Sequence, residues 1–183
     1  MGEVTDEQLI GQYLKGDEGS LEVLIKRYLK PIYSFVYKNI GNPVAAEDVT
    51  QEVFVKVWKN LKKPVLSLSK GFDPKQGKFK SWIFTIAKNS SIDFLRKKKI
   101  ATIALTENSA IEKSDFIKNI ESKNYMAKIH NALKELSPSY QAVILLKNES
   151  NLTFREIAVS LGEPLNTIKS RYRRALITLK QML

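Results

Sequence analysis

The chain has 183 residues, with 30 Lys and Arg against 19 Asp and Glu, a formal charge of +11 and an isoelectric point near 9.7. Cysteine is absent, which excludes disulfides, thiolate zinc sites and thiol nucleophiles. No apolar run approaches the roughly 18 residues needed to span a bilayer. A hydrophobic fraction of 43% is enough for genuine cores, and the positive excess favours a polyanionic partner, either nucleic acid or an acidic membrane surface.

The opening MGEVTDEQL is acidic and lacks the apolar centre of a signal peptide, so the chain is expected to be cytoplasmic. Apolar spacing from Thr5 to about Leu95 follows the helical period, and alternating strand patterns are missing, which predicts an all-α fold. Thr5, Asp6 and Gln8 precede Leu9, Ile10, Tyr13 and Leu14, the signature of a capped first helix ending near Gly16. A second stripe, Leu21, Leu24, Ile25, Tyr28, Ile32, Phe35 and Val36, holds one face apolar, with Pro31 predicting a kink and Gly41-Asn42-Pro43 a stop.

A third helix from about Val44 to Leu61 puts Val49, Val53, Phe54, Val57, Trp58 and Leu61 inward. On its other side Asp48, Gln51, Glu52 and Val55 recur at helical offsets as an exposed acidic and polar row in a basic protein. Ordinary solvation accounts for such a row, and so does a basic helical partner.

Lys62 to Lys78 carries Pro64, Gly71, Pro74 and Gly77 and reads as a basic loop. The helix after it buries Phe79, Trp82, Ile83, Ile86 and Ala87 and leaves Lys80, Phe84, Lys88, Asn89, Asp93 and Arg96 mainly on other faces. An amphipathic helix needs nothing more, yet an exposed aromatic among amide and cationic groups is also the equipment for stacking an unpaired base and holding its phosphates. Arg96-Lys97-Lys98-Lys99 closes this helix with a positive end. From Ile100 to about Asn119 no stripe is sustained, which predicts a flexible interdomain linker between an N-terminal domain at 1–99 and a C-terminal one at 120–183.

The C-terminal unit is expected to hold a helix from about Ile120 to Leu136, one from Pro138 to Lys147 capped by Ser137, and a pair after Asn151. His130, the single histidine, falls among Met126, Ile129 and Leu133 with no visible partner group, as a packed or surface residue does. Thr153 and Glu156 form a capping box opening TFREIAVSLG, which carries Ile157, Ala158 and Leu161 inward and ends at Gly162. After the turn Glu163 to Leu165, a last helix begins at Asn166 or Thr167, with Ile168, Tyr172, Ala175, Leu176 and Leu179 inward. Between Asn166 and Leu183 there is no acidic residue. This is helix-turn-helix spacing, in which the second helix enters the major groove. Lys169, Ser170, Arg173 and Arg174 fall where base edges are read, and Thr167 and Arg171 where phosphates are held.

Taken together, AEDVTQEVFVKVW at Ala45 to Trp58, FKSWIFTIAKNSSIDFLRK at Phe79 to Lys97 and LTFREIAVSLGEPLNTIKSRYRRAL at Leu152 to Leu176 resemble the extracytoplasmic-function sigma factors of the sigma-70 class. The resemblance implies two small helical domains: a region-two bundle, and a region-four helix-turn-helix that binds the minus-thirty-five element. It implies that Asp48, Gln51, Glu52 and Val55 contact the beta-prime coiled coil of core RNA polymerase, whose beta flap is a further partner. It assigns Lys80, Phe84, Lys88, Asn89, Asp93 and Arg96 to the melted minus-ten strand, and Thr167, Lys169, Ser170, Arg171, Arg173 and Arg174 to the minus-thirty-five duplex. It further implies a cognate anti-sigma factor, promoter DNA as the ligand, and neither catalysis, cofactor, metal nor small-molecule substrate. Asn166 stands where this family commonly has Gly.

Two other readings compete. A stand-alone helix-turn-helix regulator would bind an operator without polymerase and leaves the acidic row unexplained. A DNA-processing enzyme would use Glu47, Asp48 and Glu52 as a magnesium site, but all three lie on one helix with no second element to complete it.

Overall fold

The structure, a computed structural model, describes residues 4–62, 71–75, 77–106, 128–129 and 131–183. Regular structure among them is helical: α1 (Asp6–Leu14), α2 (Glu18–Ile40), α3 (Pro43–Leu61), α4 (Phe79–Thr106), α5 (Pro138–Asn148), α6 (Phe154–Leu161) and α7 (Leu165–Met182). His130 lies outside the described residues, as does most of the helix expected over 120–136, of which 128–129 and 131–135 are helical.

Local chemistry sets the helix ends. Thr5 and Gln8 close the expected capping box on α1. Gly41 ends α2 at φ 75°, a left-handed position that favours glycine. The Asn42 side chain accepts from the Ala45 amide, and Pro43 fills the first turn of α3, where its missing N–H costs nothing. Helix α2 continues through Pro31. Ser137, the expected cap of α5, makes no side-chain cap bond; its hydroxyl lies 3.2 Å from that of Ser139.

Helices α1, α3 and α4 pack around α2. Ile32, Phe35 and Val36 are fully buried, among Val53 of α3 and Ile83, Phe84 and Ala87 of α4. The Phe35 and Phe84 rings meet edge-on at 5.4 Å, which adds a directional contact to area burial. Asp6 accepts hydrogen bonds from Tyr28 and Arg27, tying α1 to α2. Burial, and then that carboxylate, push the Tyr28 hydroxyl well above the usual phenol range.

Three expectations shift. Trp58 is 44% exposed rather than inward: it sits at the edge of the α3 core stripe, with the Lys62 ammonium 5.0 Å from its ring. Leu176 is likewise on the outside of α7. Helix α4 runs past Lys99 to Thr106, into the segment expected to be linker, because neither Gly nor Pro intervenes to stop it. Residues 107–127 lie outside the described part, and the rest of the expected linker with them.

In the C-terminal half, α5 is buried over the unbroken run Ala142 to Leu146, the pattern of a helix covered on several sides. Ile144 packs with Leu133, Leu136 and Ala175, whereas Val143, Leu145 and Leu146 join the same apolar cluster as the N-terminal helices. The two halves therefore share one core, and α6 packs directly on α4. Tyr172 of α7 donates to Asn148 at the end of α5 at 3.0 Å.

Thr153 and Glu156 close the capping box on α6, and Gly162 ends it at φ 65°. Burial pushes the Glu156 carboxyl up, but hydrogen bonds from the Thr153 amide and hydroxyl, with Lys78, outweigh it and hold the group below its ordinary value. Its contribution to stability is full above the ordinary carboxylate range and is lost as pH falls through the lowered folded value. Thr153→Ala is expected to cost about 1 kcal/mol in urea unfolding near neutral pH. In strong acid the loss should shrink, since a protonated Glu156 no longer attracts the hydroxyl; an equal loss at both pH values refutes the coupling.

Candidate nucleic-acid and polymerase surfaces

Helix α4 carries two stripes. Phe79, Ile83, Phe84, Ala87, Ser90 and Ser91 are buried. The Ser91 hydroxyl donates back to the Ala87 carbonyl at 2.8 Å, which satisfies it inside the core. Ser81, Trp82, Thr85, Lys88 and Asn89 line a cavity of about 460 Å³. Phe72 and Asp73 of the preceding loop form part of its wall, and Val159 to Gly162 at the end of α6 another. Trp82 is braced by Phe72 at 5.5 Å and Phe79 at 5.7 Å.

Of the six residues assigned to the melted strand, Lys88 and Asn89 face this cavity. Burial holds the Lys88 ammonium below its usual range; the Glu163 carboxylate opposes that and Arg171 reinforces it. Lys80 is half-buried and is not part of that lining. Asp93 and Arg96 pair with each other at 3.2 Å, one turn apart, and Arg96 borders a second, largely apolar cavity of about 280 Å³ with Lys88, Ile92, Leu95, Pro138 and Ala142. Phe84 departs from expectation: it is 1% exposed and packed on Phe35, so it is a core residue and not an exposed stacking surface. On α4 the aromatic ring that reaches the cavity is Trp82, two residues earlier, beside Phe72 of the preceding loop. The signal for it was its spacing from Thr85 and Asn89, three and seven residues on, which places all three on one helical face.

Along α3, Asp48, Gln51, Glu52 and Val55 are exposed together. Trp58, seven residues after Gln51, extends the row, a member that its apolar character concealed. Glu52 pairs with Lys56 at 2.7 Å, and Lys56 also donates to the Ser90 hydroxyl of α4 at 2.9 Å. Among the described residues no group of three or more carboxylates or imidazoles is arranged to hold a metal, and Glu47, Asp48 and Glu52 do not form one.

The turn between α6 and α7 is fixed by Glu163, which binds both terminal nitrogens of Arg171, at 2.7 and 2.6 Å. Arg171, expected among the phosphate contacts, thus has a bidentate partner within the motif. Lys169, Ser170, Arg173 and Arg174 are exposed on α7, Thr167 is half-buried, and the Ser170 hydroxyl donates to the Thr167 carbonyl. Ile168 and Ala175 anchor the opposite face.

Residues 24–100 match the family model described as sigma-70 region 2, and residues 126–179 match sigma-70 region 4. The ECF RNA polymerase sigma factor SigW of Bacillus subtilis is 30% identical over 99% of this chain and 98% of its own length. The fold is similar to that of CnrH in complex with the cytosolic domain of CnrY, with TM-score 0.72 and 21% identity over 97% of this chain and 96% of that one. It is also similar to the sigma factor RpoE in complex with the anti-sigma factor NepR from Bartonella quintana, with TM-score 0.67 and 22% identity over 88% and 94% of the two chains. The chain belongs to the extracytoplasmic-function sigma factors of the sigma-70 family. It is an RNA polymerase sigma factor that directs promoter-specific initiation, which disfavours a stand-alone regulator.

Phe84→Ala is expected to lose about 3–5 kcal/mol of folding stability in urea unfolding, as a buried ring does. A loss below about 1 kcal/mol would return Phe84 to the surface.

Proposed function

We propose that recognition is bipartite, with α7 reading the minus-thirty-five duplex while α4 and the loop before it trap bases that leave the stack at the minus-ten element. The observation that carries this reading is the separation of three faces on one chain: the cationic outer face of α7, the Trp82, Lys88 and Asn89 face of α4, and the exposed Asp48, Gln51 and Val55 row of α3. Lys169, Ser170, Arg173 and Arg174 meet the duplex, where Arg reads guanine edges bidentately. Trp82 replaces Phe84 as the stacking ring; unstacking a base costs a few kcal/mol, which stacking and the Lys88 and Asn89 contacts return.

The α3 row, extended by Trp58, docks on core polymerase at the beta-prime coiled coil, with Glu52 contributing through its Lys56 pair, and the beta flap receives the C-terminal half. An anti-sigma factor is the expected inhibitor, as NepR is a partner of its RpoE. The chain contributes binding and no covalent step, uses no small-molecule substrate, and works in the cytoplasm beside the chromosome; no helix among the described residues is long and apolar enough to cross a membrane.

Bacterial core polymerase with this chain and a promoter library is expected to give a defined pair of elements upstream of the start sites; random starts would overturn the reading. Asp48→Ala with Gln51→Ala should weaken capture of core polymerase about tenfold, the scale of two interface residues, with the far-ultraviolet spectrum unchanged. In the holoenzyme Arg173→Ala should weaken promoter binding by about 1–3 kcal/mol and relax preference at one base pair. Weaker binding with preference intact would make Arg173 a phosphate contact.

A further inference from the structure

At the seam between the two halves, the second cavity, of about 280 Å³, lies between α4 and α5 and shares only Lys88 with the one beside Trp82. Its floor is one stripe of α4: Ile92, Leu95 and Arg96 follow Lys88 by four, seven and eight residues and so lie on one face. Pro138 and Ala142 of α5 form the facing wall, and Gln141 adds an amide that can donate. Ile92 and Leu95 stay more than a third exposed and belong to neither apolar cluster of the fold. The volume is near the lower limit of about 300 Å³ for ligand pockets, which suits a short chain and not a helix. Cations stand at the two ends of the stripe, about 12 Å apart along the helix axis. Arg96 is paired with Asp93. Lys88 is not paired: among the described residues no carboxylate makes an ion pair with it, and Glu163 favours its charge only against a burial that disfavours it.

We propose that this cavity binds a free medium-chain carboxylate, its head group on the Lys88 ammonium and its alkyl chain along Ile92 and Leu95 beneath Pro138 and Ala142. The lining selects that class. An inorganic anion would satisfy Lys88 and leave the apolar floor in water, and an alkyl cation would cover the floor and repel Lys88; only a ligand with both a tail and a negative head answers to both ends. A chain of about eight carbons stays within the ~12 Å between the two cations. The site stands whether or not Lys88 also meets unpaired DNA.

Octanoate titrated calorimetrically into the whole chain at moderate salt should bind at one site with a dissociation constant on the order of 0.1 mM, the scale for about ten heavy atoms. From butanoate through hexanoate to octanoate, affinity should rise about two- to fourfold per methylene, as apolar burial dictates. Octyltrimethylammonium, with the same tail and the opposite charge, should not bind. Lys88→Gln should weaken octanoate about tenfold, the scale of a charge-assisted hydrogen bond. Ile92→Asp should abolish binding, whereas Val23→Asp, the same kind of exchange at an exposed position of α2, should leave it unchanged. Leu95→Asn is a milder change to the floor and should weaken octanoate even if Ile92→Asp fails to fold. Vesicles of phosphatidylglycerol, which offer acyl chains only within a bilayer, should not displace octanoate, and displacement would refute a free ligand. The site is overturned if binding does not saturate, if the alkylammonium binds equally, or if the floor variants bind octanoate as Val23→Asp does. A loss on Arg96→Gln with Lys88→Gln unaffected overturns the placement of the head group.

Discussion

Helix α4 has to satisfy two neighbours at once. Its Ile83, Phe84 and Ala87 side lies in the apolar centre formed with α2 and α3, and its Ser81, Thr85, Lys88 and Asn89 side forms the wall of a cavity. At about 100° per residue, these stripes cannot be moved independently. Whatever locks Phe84 against Phe35 thereby aims Lys88 and Asn89 into the cleft, so the core contact sets the geometry of the cavity face. The loop before the helix is held to the same frame through Phe72 on Phe79 and Trp82.

The same dependence runs outward to both other surfaces. Lys56 joins α3 to α4 through Ser90 and simultaneously holds Glu52, so the acidic row is registered against α4 rather than floating on a separate helix. In the C-terminal half, Arg171 and Glu163 lock the turn that sets the angle between α6 and α7, with Ile168 and Ala175 as the buried footing. Lys169, Arg173 and Arg174 are then left outward by helical geometry alone. A bidentate pair that stiffens the motif serves recognition as surely as a phosphate contact, by reducing the freedom lost on binding.

Much of this was legible in the residues because it is local. Thr5 with Gln8, Thr153 with Glu156, Gly41 and Gly162 announce helix ends through groups a few positions apart, and each is found at the end it predicts. Trp82 and Phe84 were harder. They flank the same buried stripe, and which of the two turns inward is settled by Phe35, a residue far away in the chain. Trp58 was misread for a related reason, since aromatic character counts as core until the neighbouring faces are known. The all-round apolar run Ala142 to Leu146 did carry a warning: one helix that is buried on several sides needs more cover than α7 alone provides, and the N-terminal core supplies it. Periodicity tells which faces are apolar and is silent on what covers them.

Charge makes sense of the seam. A chain of net +11 repels itself, and the C-terminal helix α7 has no acidic residue to relieve that. Glutamates at 149 and 156 bring opposite charge to Lys38 and Lys78 of the N-terminal half. Because donor and acceptor belong to one polypeptide, each pair forms at an effective concentration on the order of millimolar. The pairs Lys38–Glu149 and Lys78–Glu156 therefore offset part of the repulsion where the two halves meet.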